Sequence, residues 1–134
     1  MSVTLTGQDE TTLRTAAYGS VTLLAAAGAV DKPHKIAKNG SMALASATGL
    51  VGHVLAVYPE GKDLAGRSAA EIADRVLPAL TAAMGLLSKQ DPAEADNFRR
   101  TVLVAVEAAQ AHQGKPSPVM VEMTRKITEA LDAG

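Results

Sequence analysis

The sequence predicts an all-α fold, a compact Ala-rich bundle of about five helices with a buried central helix. Three observations carry that expectation. Apolar residues recur at spacings of three and four along five segments, as on the buried face of a helix. Most of these segments open on residues that cap helix N-termini. Alanine fills 26 of 134 positions, with one Phe, two Tyr and no Trp. That composition describes a core built by close backbone approach rather than by large rings. No alternating strand pattern with turn chemistry interrupts it.

The first helix is expected from about Gly7 to Ala27. Thr6 can cap it, with Asp9 three residues on, and Asp9 and Glu10 suit the positive end of the helix dipole. Its stripe is Leu13, Ala17, Val21, Leu24 and Gly28. The second is expected from Ser41 to Val57, ending before Pro59. The third follows Ser68-Ala-Ala-Glu71, a capping-box pattern, with Ile72, Val76, Leu80, Met84 and Leu87 on one face. Pro78 lies inside it, removes one hydrogen bond and clashes with the Asp74 carbonyl, so a kink or a break is expected there. Asp91-Pro-Ala-Glu94 opens the fourth, with Asp91 as cap, Pro92 in the first turn and Glu94 completing the box. Its stripe is Phe98, Val102, Ala105, Val106 and Ala109. Ser117-Pro118 opens the fifth, with Val119, Met123, Ile127 and Leu131 along one face.

Charge placement agrees with helices. Glu10–Arg14, Glu71–Arg75, Asp96–Arg100 and Glu122–Lys126 each set an acid four residues before a base, the favourable order on a helix. These eight charges are expected on solvated faces rather than in a catalytic site.

Residues 39–59 and 15–30 carry no charge. Twenty-one uncharged residues approach the length of a membrane span. The later run, however, contains Asn39, two Ser, Thr48, His53 and three Gly, which favours burial in protein over lipid. A helix apolar on all sides must be covered on all sides. Ser41–Val57 is therefore expected to be the central helix. Ala45 and Gly49, and Thr48 and Gly52, are small residues four apart that would let backbones approach. His53 falls within this helix as a buried polar candidate, a core imidazole with a hydrogen-bond partner. One chain of this size would leave part of two nearly uncharged helices uncovered, which predicts a homodimer.

The length, 134 residues, and the 47% apolar and 20% charged content predict one globular domain, residues 1–134. The net charge of −1 and the three aromatics argue against nucleic-acid binding. There is no cysteine, hence no disulfide, thiolate zinc site or cysteine nucleophile. No phosphate-binding, zinc-protease, nucleophile-elbow or EF-hand motif is present. No catalytic residue, metal site or cofactor is assigned. The N-terminal residues lack a basic start and an apolar run, so a cytoplasmic protein is the expectation.

One local excess of charge remains, the loop 31–41, Asp-Lys-Pro-His-Lys-Ile-Ala-Lys-Asn-Gly-Ser. His34, Lys35, Lys38, Asn39 and Ser41 precede a helix start, where free N–H groups and nearby cations suit an anion. Two functions follow. The leading one is a non-enzymatic cytoplasmic protein that self-associates or binds a protein partner. The alternative is a small-molecule or anion-binding protein, or an enzyme, that uses this basic loop.

The first and fourth helices share a pattern. Leu13-Arg-Thr-Ala-Ala-Tyr-Gly-Ser-Val, ending at Ala27-Gly28, lies beside Phe98-Arg-Arg-Thr-Val-Leu-Val-Ala-Val, ending at His112-Gln-Gly114. In outline this resembles the two halves of tellurite-resistance TerB-like helical domains. The resemblance implies paired helices and, in that family, an acidic metal site. The acids are missing here: the first turn has only Asp31, and after Gly114 none occurs before Glu122. Metal binding is not carried over.

Overall fold

A computed structural model describes residues 5–27, 40–56, 68–110 and 118–134. They form six helices, and no strand occurs among the described residues. The helices are α1 (Gly7–Ala27), α2 (40–45), α3 (Gly49–Leu55), α4 (Ala69–Gln90), α5 (Pro92–Gln110) and α6 (Pro118–Ala133). The all-α bundle expected from periodicity is the fold.

The central helix is α1, not Ser41–Val57. It packs on α3, α4, α5 and α6. From Leu13 to Leu24 it buries residues around most of its circumference, Ala16, Ala17, Tyr18, Gly19, Ser20, Val21 and Leu23 among them. Its charges end at Arg14, so the rest can enter the core without desolvating an ion. Ser20 is buried, and its hydroxyl donates to the Ala16 carbonyl at 2.7 Å. The start is a reciprocal cap: the Asp9 amide donates to Thr6 Oγ1 at 3.0 Å, and the Thr6 amide donates to Asp9 Oδ2 at 3.1 Å. Asp does here what Glu or Gln does in the usual box.

The second expected helix is two. In α2 the last turn tightens, with Ser46 and Ala47 amides donating three residues back to Ala43 and Leu44. The backbone extends at Thr48 (φ −120, ψ 174) and turns left-handed at Gly49 (φ 72). Such a φ cannot continue an α-helix and is accessible mainly to glycine. Neither piece is buried all round. Leu44, Val51, Val54 and Leu55 reach the core, while Met42, Ala45, Ser46, Thr48, Gly49, His53 and Ala56 are exposed. His53 is thus a surface residue, not a buried polar one. Val57 lies outside the described residues.

The helix α4 runs unbroken through Pro78. Pro78 and Asp74 both lie on its exposed side, where water can satisfy a carbonyl that has lost its donor. Ser68 caps the start, its hydroxyl accepting from the Glu71 amide at 3.2 Å. The expected stripe Ile72, Val76, Leu80, Met84 and Leu87 is buried.

One residue, Asp91, joins α4 to α5. Its amide donates to the Leu87 carbonyl at 2.7 Å, closing α4. Its carboxylate accepts from the Ala93 amide at 3.1 Å, opening α5. The two helices α5 and α6 run antiparallel: Arg99 meets Asp132 at 2.9 Å, and Gln110 Nε2 donates to Thr124 Oγ1 at 3.0 Å. On α6 the buried face is Met120, Ile127 and Leu131, while Val119, expected on the stripe, is exposed.

Of the expected ion pairs, Glu10–Arg14 (4.0 Å) and Asp96–Arg100 (2.6 Å) are present. Glu122 pairs with Arg125 rather than Lys126, and Arg125 also reaches Glu129 at 2.5 Å. The Arg fork takes two carboxylates that a lysine ammonium would meet singly.

Candidate functional site

His34, Lys35, Lys38 and Asn39 lie outside the described residues, as do Asp31, His112 and the turn after α5. Ser41 is half-buried on α2. Its neighbour Gly40 is buried against α1: a Cβ there would sit 2.7 Å from both Val21 methyl carbons. Close approach at glycine, expected at Gly49 and Gly52, thus also holds at Gly40, whose backbone meets the Val21 side chain. Among the described residues, no group of three or more His, Asp or Glu is placed to hold a metal. None of the described helices is long and apolar enough to cross a membrane.

The most constructed feature lies around α3. This helix has seven residues, and its N-cap Thr48 makes no side-chain cap. The missing caps come from α5 and α1. At the N-terminus, the Leu50 amide donates to Glu94 Oε1 at 2.7 Å. Asn97 Nδ2 donates to the Thr48 carbonyl at 2.9 Å and to Glu94 Oε2 at 3.2 Å, holding the carboxylate in place. At the C-terminus, Arg14 Nε donates to the Val54 carbonyl at 3.0 Å and Tyr18 Oη to the Leu55 carbonyl at 2.5 Å. An anion thus faces the positive end of α3 and a cation its negative end, as the helix dipole favours. Arg14 and Tyr18 are one turn apart on α1, and Glu94 and Asn97 are nearly one turn apart on α5, so each clamp is a local helix spacing.

Glu94 therefore does not complete the cap of its own helix. The Asp91 amide is already given to Leu87, and the Glu94 carboxylate serves α3 instead. Glycine makes the approach possible. At Gly49 a Cβ would lie 2.8 Å from Glu94 Oε1. At Gly52 a Cβ would lie 2.2 Å from the Ala47 carbonyl oxygen, so the turn between α2 and α3 folds directly onto the α3 backbone.

The opposite side of this unit faces solvent. Met42 and Ala45 share one face of α2, Ser46 follows at its end, and all three are exposed, Met42 by 60%. Thr48, Gly49, His53 and Ala56 continue the exposed surface along α3. With His53 neutral, no residue from 39 to 59 carries a charge. Elsewhere among the described residues, exposed Val104, Val119 and Val121 have charged residues within four positions on their own helices: Arg100 and Glu107, Glu122, and Arg125.

Sequence spacing pairs Glu94 and Arg14 with local partners and gives Tyr18 and Asn97 no role. The one local hint was the pair Thr48-Gly49 within an otherwise apolar run, a place where a helix can stop. Comparison of the chain with protein-family models, with curated proteins and with solved structures returned no match.

Proposed function

We propose that this is a non-enzymatic cytoplasmic binding protein that acts through the outer face of α2 and α3, with a second copy of itself as the first partner. The observation that carries this reading is that α2 and α3 expose a face to which their own residues bring no charge, on a chain in which one residue in five is charged. The centres of protein interfaces are depleted in charged residues and enriched in methionine. Met42, at 60% exposure, is the largest apolar side chain on this face. An uncharged patch also meets its own copy across a two-fold axis without like charges facing each other.

Sedimentation velocity over a micromolar concentration series tests it. The wild-type mass should rise above 13.7 kDa with concentration. Met42→Glu combined with Ala45→Glu should hold the chain at the monomer mass. A wild-type chain that stays monomeric throughout removes self-association. A variant that still assembles moves the interface elsewhere.

A further inference from the structure

We propose that α3 is a strap that opens as a unit, latched by Glu94 and Asn97 at one end and by Arg14 and Tyr18 at the other, while the long helices stay folded. The packing pattern separates it from the rest. The helices α1, α4, α5 and α6 contact one another in every pairing, so they close a four-helix core without α3. The strap lies on α1 and α5 and against the turn that joins it to α2, and it makes no packing contact with α4 or α6.

Its own resources are few. Seven residues are well below the length at which an isolated helix holds in water. Gly52 within it weakens the helix further. It carries no acid–base pair of its own, because it has no acid, lysine or arginine. Its anchors are Val51, Val54 and Leu55, whereas α4 buries Ile72, Ala73, Val76, Leu80, Ala83, Met84 and Leu87. Elements with few buried contacts and solvent-facing backbone open locally, at lower free energy than the whole molecule. The four latch residues belong to the core helices and remain in place when α3 leaves. Opening uncovers the apolar strip of α1 and α5 beneath Val51, Val54 and Leu55.

Native-state hydrogen exchange on the full chain tests this through two substitutions that act on different openings. Ile127→Val trims the buried core on α6, which α3 does not touch. It should speed exchange of the Leu80, Ala83 and Leu87 amides by about fivefold and leave the amides from Gly52 to Ala56 unchanged. Tyr18→Phe removes a latch and should speed the amides from Gly52 to Ala56 by about fivefold. In the wild type, exchange in α3 should depend on urea far less steeply than exchange in α4. The strap is refuted if Ile127→Val accelerates α3 and α4 equally, or if both share one urea dependence. An α3 exchange rate that ignores Tyr18→Phe removes the latch and with it the proposal.

Discussion

Glu94 Oε1 accepts a hydrogen bond from the Leu50 amide at 2.7 Å, joining α5 to the start of α3 across 44 positions of sequence. The carboxylate does for a distant helix what a capping side chain ordinarily does for its own. Removing it should cost what a lost N-cap costs, about 1–2 kcal/mol for Glu94→Ala. Glu94→Gln keeps an acceptor and loses the charge at the dipole, so it should cost less, about 0.5 kcal/mol. Urea unfolding of the two variants measures both. Equal effects would mean that charge, rather than the hydrogen bond, is what α3 needs.

Gly49 stands at the same contact for two reasons, and they separate in a double-mutant cycle. Its φ of 72 is a left-handed conformation that costs other residues about 1–2 kcal/mol. A Cβ would also meet Glu94 Oε1 at 2.8 Å. Gly49→Ala should therefore cost the backbone strain and displace the carboxylate from Leu50 as well. In a Glu94→Ala background that second part is already lost. The double variant should be more stable than the sum of the singles predicts, by about 1 kcal/mol. Additive values would show that the Glu94 side chain yields without giving up its bond.

How much of this was legible in the sequence follows the distance between interacting residues. The stripe Val76, Leu80 and Met84, the Thr6–Asp9 cap and the Asp91 cap depend on neighbours within four positions, and periodicity finds them. The choice of central helix does not. Residues 15–30 and 39–59 are both uncharged, yet among the described residues the first is one unbroken helix from Thr15 to Ala27, with Gly19 as its lone glycine. The second carries Gly40, Gly49 and Gly52, and its break becomes necessary only once Glu94 and Asn97 are brought to Thr48 and Leu50. His53 follows from that break: on a split segment it turns to solvent. Of the anion loop expected at 31–41, residues 31–39 lie outside the described residues, so the candidate surface rests on the placement of α2 and α3 rather than on any motif.

Arg125 sets the protonation of Glu122. The guanidinium donates two hydrogen bonds to this carboxylate, which, with the charges of Arg125 and Lys126, hold it below the ordinary carboxylate range despite the opposing desolvation. In the unfolded chain those bonds are gone and the pKa is the higher one. The stabilisation is thus complete above the ordinary carboxylate value and disappears as pH falls through the lowered one. The pair is exposed, so the effect on stability is small. The titration itself is the better readout. In Arg125→Gln the Glu122 carboxyl should titrate higher than in the wild type, followed by carbon-detected NMR. An unchanged midpoint would mean that Lys126, the partner expected from i,i+4 spacing, carries the interaction.

Two helical glycines should respond to alanine with opposite signs, because their surroundings differ. At Gly85, within α4, nothing lies within 4 Å of an added Cβ. Alanine there gains helix propensity at no steric cost, which should stabilise the chain by about 0.5–1 kcal/mol. At Gly52, within α3, the Cβ would fall 2.2 Å from the Ala47 carbonyl oxygen. That atom is backbone, so no rotamer change relieves the overlap, and the turn between α2 and α3 must move. The same propensity gain is then outweighed by an overpacking cost of about 1–3 kcal/mol. Thermal unfolding should place Gly85→Ala above the wild type and Gly52→Ala below it. A stabilised Gly52→Ala would show that the turn folds away from α3 freely, and that close backbone approach is not what holds α2 to it.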